Sequence, residues 1–176
     1  MQVIKPLLVK ILSLSLLIPP LASGVFSYRP IKIFTCKRVI DGDTAIFTRA
    51  GSEIRLRFAY IDAPESKQYS FDKVPIGKYS KEYLAKLIEK KKVKIQILGK
   101  DLYGRSIGEV FLGTKSVNED LVESGFALFY HRGAKNRFKV AQFRAQIKRI
   151  GIWETDGFIN PWLFRKKKRQ KHVNFY

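Results

Sequence analysis

A chain with 34 Lys+Arg and only 15 Asp+Glu has few carboxylates to place, and four of them fall in two short clusters. Asp41 and Asp43 flank one glycine in Asp41-Gly42-Asp43, while Asp62 and Glu65 bracket Ala63-Pro64. Each cluster stands where an extended run ends. If neighbouring strands bring those ends together, the carboxylates supply hard oxygen ligands and repel one another unless a divalent cation, Ca2+ or Mg2+, neutralises them. Arg57 lies five residues before Asp62, and Arg105 closes the turn Asp101-Leu102-Tyr103-Gly104-Arg105. Guanidinium forks match phosphate oxygens and stabilise best the extra negative charge of a five-coordinate phosphorus. A metal, a carboxylate and two arginines are enough for phosphodiester hydrolysis. Taken singly, each feature has a plainer reading: Asp41-Gly42-Asp43 as a turn, Asp62-Ala63-Pro64-Glu65 as a loop leading to a helix, either arginine as an ion-pair partner.

The elements that must position these groups are written in the hydrophobic period. Lys32 to Ile40 and Thr44 to Thr48 read as strands on either side of the Asp-Gly-Asp turn, and Gly51 marks the next reversal before Ile54 to Ile61. In that third run Ile54, Leu56, Phe58 and Tyr60 share one face, with Arg55 and Arg57 on the other. From Gly77 the period becomes helical, with a stripe of Tyr79, Tyr83, Leu84, Leu87 and Ile88. Val93 to Ile97 and Ile107 to Leu112 return to alternation. Asn118 is the expected cap of a short helix carrying Glu119 and Asp120 and closed by Gly125, and a last helix runs from about Asn136 to Ile150 before Gly151. Strands, an inserted helix, more strands and then helices suit a small closed barrel of the α+β class, for which an OB-like barrel is the natural candidate.

Composition bounds the partner. A net charge of +19 points to a polyanion, and 45% hydrophobic with 13% aromatic residues excludes disordered, collagen-like and mucin-like chains. One cysteine, Cys36, cannot close an intramolecular disulfide and reads as a small buried side chain. Two histidines, His131 and His172, are too few for an ordinary structural zinc site and read as surface or tail residues. Residues 1–24 place Lys5 and Lys10 before an apolar run from Ile11 to Ala22, with Ala22-Ser23-Gly24 at its end. That order is a secretory signal peptide, or an N-terminal membrane anchor if uncleaved. Residues 165–176 carry Arg165, Lys166, Lys167, Lys168, Arg169 and Lys171 and read as a flexible basic tail, either solubilising or an extra hold on nucleic acid. Removing both ends takes away two and six cations and no acid, so the middle keeps a net charge of +11.

These stretches resemble the staphylococcal nuclease (thermonuclease) family. The likeness lies in Lys37-Arg38-Val39-Ile40-Asp41-Gly42-Asp43-Thr44, Arg57-Phe58-Ala59-Tyr60-Ile61-Asp62-Ala63-Pro64-Glu65, Asp101-Leu102-Tyr103-Gly104-Arg105, Val117-Asn118-Glu119 with Leu121-Val122 and Gly125, and Gly151-Ile152-Trp153. It covers residues 30–155. It implies a five-stranded OB-fold β-barrel with about three α-helices and a Ca2+-dependent nuclease site. By that resemblance Asp43 and Asp62 bind the metal with the backbone carbonyl of Ala63, and Asp41 stands behind them, acting through water. Glu65 takes the place of the general base, and Arg57 and Arg105 grip the scissile phosphate and the departing oxygen. Two positions depart from the family pattern: Ala63 replaces a common threonine and Leu102 a common lysine that helps hold a terminal phosphate. Tyr103, Tyr130 and His131 are the aromatic candidates for stacking on a base, with Phe129-Tyr130 as core the competing reading.

The expectation is therefore an exported, monomeric, metal-dependent nuclease acting on DNA and RNA with little sequence preference. Glu65→Gln or Arg57→Ala should remove turnover and leave the fold intact. The rival is an OB-type module that binds single strands without cutting them. Four acids beside a polyanion give such a binder nothing, whereas a metal enzyme requires them. A membrane-surface reading fits less well, because the basic run lies at the opposite end of the chain from the apolar one.

Overall fold

The computed structural model describes residues 29–130, 136–155 and 157–173. The signal-like segment 1–24 and His131 lie outside them. Five strands close into a barrel: β1 (Ile31–Asp41), β2 (Thr44–Arg49), β3 (Ser52–Phe58), β5 (Lys92–Lys100) and β6 (Ser106–Leu112). β1, β2 and β3 form an antiparallel meander, β5 pairs with β1 and with β6, and the ring closes through the parallel pairing of Leu56 with Ser106 and Phe58 with Gly108. Two-residue strands complete the pattern: β7 (Lys115–Ser116) extends β6, and β4 (Ile61–Asp62) pairs with β8 (Leu128–Phe129). The β2–β3 turn is tight because Ala50 and Gly51 both take positive φ, 47° and 79°, which lets two residues reverse the chain along the strand twist. This is the expected OB-type α+β barrel.

Alternation supplies the core. Phe34, Cys36, Val39, Phe47, Leu56, Phe58, Ile95 and Val110 point inward from the strands and are buried. The helices are α1 (Ile76–Ile88), α2 (Val117–Glu123), α3 (Asn136–Lys148) and α4 (Pro161–Val173), with a 3-10 turn at Gly151–Trp153. α1 closes the barrel with Ile76, Ser80, Leu84 and Ile88, α2 with Leu121 and Val122, and α3 adds Phe138 and Ala141. Among the described residues no helix is long and apolar enough to cross a membrane.

Four expectations change. Tyr60 does not continue β3: the strand stops at Phe58, and Tyr60 turns at φ 69° to start β4. Tyr79 lies outside the buried stripe of α1, 46% exposed, since the packed face follows Ile76, Ser80, Leu84 and Ile88. The cap of α2 is Ser116, whose side chain accepts the Glu119 N–H, whereas Asn118 is buried and ties three strand-level backbone groups. The C-terminal run is not a flexible tail over residues 161–173 but helix α4. Pro161 sits at its first position, Asn160 Oδ1 accepts the Trp162 N–H at 2.9 Å, and Arg165 docks on carboxylates of the barrel domain.

Candidate active site

The two acidic clusters meet. Gly42 is required at the β1–β2 turn because a Cβ there would stand 2.7 Å from the Cβ of both Ala63 and Ser80, so the turn lies directly on β4 and α1. Register shifts in β1 between Cys36 and Arg38 and between Val39 and Asp41 bend the strand into that contact. Pairing of Thr44 with Arg57 then sets the arginine beside the turn. Arg57 Nη1 donates to both oxygens of Asp43 at 2.9 and 2.8 Å, and its Nη2 donates to Asp62 Oδ1 at 2.9 Å. Asp43 also accepts from Thr44 Oγ1 at 3.0 Å and from the Ala63 N–H at 3.1 Å. The carboxylates of Asp43 and Asp62 are only 5% and 6% exposed, so one half-buried guanidinium clamps two buried acids. Burial alone pulls the Arg57 guanidinium down, and the charges of Asp43 and Asp62 more than offset it, leaving Arg57 above the ordinary arginine range.

Asp41 and Glu65 border this clamp. Asp41 Oδ1 accepts the Asp43 N–H at 3.1 Å, and burial, followed by the charge of Asp43, pushes the Asp41 carboxyl up to about 7. Glu65 is the more open acid, 39% exposed at its side chain. Its backbone is fixed by α1: a Cβ on Gly77 would lie 2.6 Å from the Glu65 carbonyl carbon and closer still to its oxygen. Gln68 completes the brace, with its N–H on Glu65 O at 2.7 Å, its Oε1 accepting the Glu65 N–H at 3.3 Å, and its Nε2 donating to Ile159 O at 2.5 Å.

Arg165, read from sequence as part of a tail, is a member of the site. Its Nη2 donates to Asp62 Oδ1 and Oδ2 at 3.0 and 2.7 Å, and its Nη1 to Glu65 Oε1 at 2.9 Å. Asp62 thus lies between two guanidiniums. Neither Gln68 nor Arg165 carried a sequence signal pointing here; the cationic run that contains Arg165 pointed away from the site.

Arg105 is placed differently from Arg57. Its Nε donates to Asp101 Oδ2 at 2.7 Å, and its guanidinium lies 5.7 Å from the Tyr103 ring centroid. Burial pushes the Asp101 carboxyl up, but the hydrogen bonds from Arg105 and the Tyr103 N–H, with the Arg105 charge, together outweigh it and hold the carboxyl below its usual range. Tyr103, 82% exposed, lines a cleft of about 660 Å³ together with Glu65 and Arg165, and so links the Arg105 turn to the acidic site. Leu102 at the tip of that turn is fully exposed. Tyr130 follows β8, its N–H on Tyr60 O at 2.7 Å and its side chain 37% exposed. Phe129, its neighbour, packs on the core.

Among the described residues no group of three His, Cys, Asp or Glu side chains stands ready to cage a cation by itself. The local charge balance nevertheless fits one hard divalent ion. Asp43, Asp62 and Glu65 share two guanidiniums, Arg57 and Arg165, with Asp41 beside them, which leaves the cluster short of positive charge in a chain of net +19. The charge of Asp43 adds, after burial, to the upward push on the Asp41 carboxyl. Carboxylate and backbone oxygens are the donors that Ca2+ and Mg2+ prefer.

Fold and site define an OB-type barrel domain with a carboxylate–guanidinium centre where β1 turns into β2 and β3 gives way to β4. The model of the family described as staphylococcal nuclease homologue matches residues 55–155. An uncharacterized endonuclease of Haemophilus influenzae is 33% identical over 139 residues, covering 77% of this chain and 75% of that protein. The thermonucleases of Staphylococcus intermedius and Staphylococcus hyicus are 35% and 32% identical, covering 69% and 76% of this chain and 76% and 83% of their own lengths. The chain belongs to the staphylococcal nuclease family.

Proposed function

We propose that this protein is a nuclease that hydrolyses phosphodiester bonds of DNA and RNA with low sequence specificity and depends on a divalent cation, Ca2+ in first place. The observation that carries the reading is the shared clamp: one arginine, Arg57, bridging Asp43 and Asp62 beside the open carboxylate of Glu65. Membership of a family with members named thermonuclease and endonuclease supports it.

Asp43, Asp62 and the Ala63 carbonyl would hold the ion, with Asp41 behind them. Bound there, it would offset phosphate charge and ready a water for attack. The remaining work falls to the chain. Arg57 turns its fork from the carboxylates to the scissile phosphate and stabilises the charge that develops there. Glu65, exposed and braced by Gln68 and Gly77, orients the attacking water and takes its proton at a carboxylate oxygen. Arg105, oriented by Asp101, stands at the Tyr103 side of the cleft for the departing oxygen. Guanidinium, ammonium and aromatic contacts address phosphates and ring faces common to all nucleotides, which accounts for low sequence preference.

The test is digestion of plasmid DNA and single-stranded RNA with Ca2+, Mg2+ or chelator present. Cleavage with Ca2+ that chelator abolishes, and that Glu65→Gln removes while thermal melting stays near the parent's, is the expected result. Salt-sensitive binding with no cleavage under any ion would leave a non-catalytic binding module. Arg57→Ala is the poorer probe: it takes the shared counter-ion from two buried acids and so lowers stability together with activity. We extend the proposal to export through residues 1–24; a mature protein found outside the cytoplasm lacking them is the supporting observation, and retention of Met1 in soluble cytoplasmic protein the opposing one.

A further inference from the structure

We propose that helix α4 is a second wall of the substrate groove and that Arg165 is a phosphate-gripping arginine, positioning the strand that flanks the scissile bond. This rests on the nuclease reading for its substrate but not for its geometry. α4 lies beyond the residues matched by the family model.

Three observations carry the inference. Arg165 rests on an acceptor that it shares with Arg57: both forks donate to Asp62 Oδ1, at 3.0 and 2.9 Å. A guanidinium held by carboxylates next to a phosphate site is pre-charged and pre-oriented, and it exchanges one oxyanion for another with little reorganisation. Second, α4 and the 101–105 turn face each other across the 660 Å³ cleft, which is lined by Glu65, Lys67, Tyr103, Phe164, Arg165 and Lys168. One wall thus offers Tyr103 and the other Phe164, with Lys67, Arg165 and Lys168 along the groove: ring faces for bases and cations for a backbone, the pairing that holds single strands without reading sequence. Third, the wall is fixed rather than loose. Gln68 Nε2 bonds Ile159 O immediately before α4, and a Cβ at Gly157 would collide with the Phe71 ring, 2.6 Å from its Cγ. The ligand is a single-stranded segment of nucleic acid, its phosphate on Arg165.

The test uses the full chain and a fluorescein-labelled oligothymidylate in chelator, so that binding is read by anisotropy without cleavage, alongside kcat and KM on unlabelled strand with the ion that supports the parent. Arg165→Ala should weaken binding ~10-fold and flatten the slope of log affinity against log salt by about 0.7, the share of one phosphate contact on a single strand. Arg165→Lys should restore the slope but not all the affinity, because the charge returns without the fork. The loss in kcat/KM should appear chiefly in KM. Lys168→Ala, which leaves the carboxylate contacts intact, should flatten the slope by a similar amount and guards against misfolding of the Arg165 variants. Unchanged binding in both variants, or faster cleavage by Arg165→Ala, overturns the proposal, the latter by making α4 a guard over the acids. Parent cleavage with indifferent variants sinks only this inference; variant-sensitive binding with no parent cleavage sinks only the nuclease reading.

Discussion

Gly77→Ala tests whether the position of Glu65, rather than its mere presence, sustains activity. Gly77 touches no substrate-facing group; it is the second residue of α1, and its N–H donates to Gln68 O at 3.1 Å. A methyl group there would lie 2.6 Å from the Glu65 carbonyl carbon and 3.1 Å from that of Ser66. Normal carbon contacts begin near 3.5 Å and the Glu65 oxygen stands closer still, so the Glu65–Ser66 backbone must retreat by more than about 1 Å. Both obstacles are main chain, and no rotamer change relieves them. Overpacking of this kind costs ~1–3 kcal/mol, from which the gain of replacing a helical glycine by alanine, up to about 1 kcal/mol, is subtracted. The net, ~0–2 kcal/mol, is a fall in Tm of at most roughly 8 °C for a chain of this size. The kinetic effect should be far larger, since a 1 Å misplacement in an active site can cost ~10²-fold. Initial rates on single-stranded DNA and a thermal melt are the assay. Gly99→Ala is the control: nothing lies within 4 Å of a Cβ there, and both rate and Tm should match the parent. A folded Gly77→Ala protein with the parent's kcat would refute the reasoning, because Glu65 would then have been moved without consequence.

Two further outcomes follow from the described contacts. Asn118→Ala removes a fully buried amide that accepts from Val110 N–H at 2.9 Å and donates to Ala59 O and Gly108 O at 2.9 and 3.2 Å. Stranding those groups should cost about 2–4 kcal/mol by denaturant titration, and a change under 0.5 kcal/mol would contradict the assignment. Cys36 is wholly buried, and burial followed by the charge of Glu89 pushes its thiol up to about 12. A raised thiol pKa keeps the group protonated below that value, so in native buffer between pH 7 and 9 it should ignore an aromatic disulfide reagent and react only as the chain unfolds; reaction at the rate of a free thiol would show the first strand to be open.

What could be read from the sequence divides along physical lines. The barrel strands were legible because alternation and turn residues are local, and Asp43 and Asp62 could be expected to meet because each ends a strand of one meander. The end of β3 was not legible: Tyr60 fits the alternating pattern, and only its left-handed backbone shows that the strand has stopped. Asn118 has the composition of a cap, yet its side chain is recruited by β6 and the Ala59 carbonyl, long-range partners that no window around residue 118 contains. The largest omission is α4. Six cations in seven residues repel one another, and local rules read that as disorder. The compensating acids, Asp62 and Glu65, lie 103 and 100 residues earlier in the chain, so the stabilising term is wholly tertiary.

That same tertiary pairing couples the two ligands of the proposed function. Arg57 and Arg165 pair with Asp43, Asp62 and Glu65 as the chain stands, and phosphate and divalent cation compete for opposite partners in those pairs. A phosphate that draws the guanidiniums away leaves the carboxylates uncompensated and strengthens their hold on a cation. A cation that takes the carboxylates frees the forks for phosphate. Each ligand therefore lowers the cost of admitting the other, and linkage requires the two effects to be equal in factor. Titrating Ca2+ into Glu65→Gln protein with and without a saturating oligonucleotide measures the coupling without turnover. Ion affinity should rise about 5–150-fold when the strand is bound, the range of ordinary coupling energies of ~1–3 kcal/mol. Independent binding would mean that the arginines do not leave the acids when substrate arrives, and that the clamp at Asp43 and Asp62 is structural.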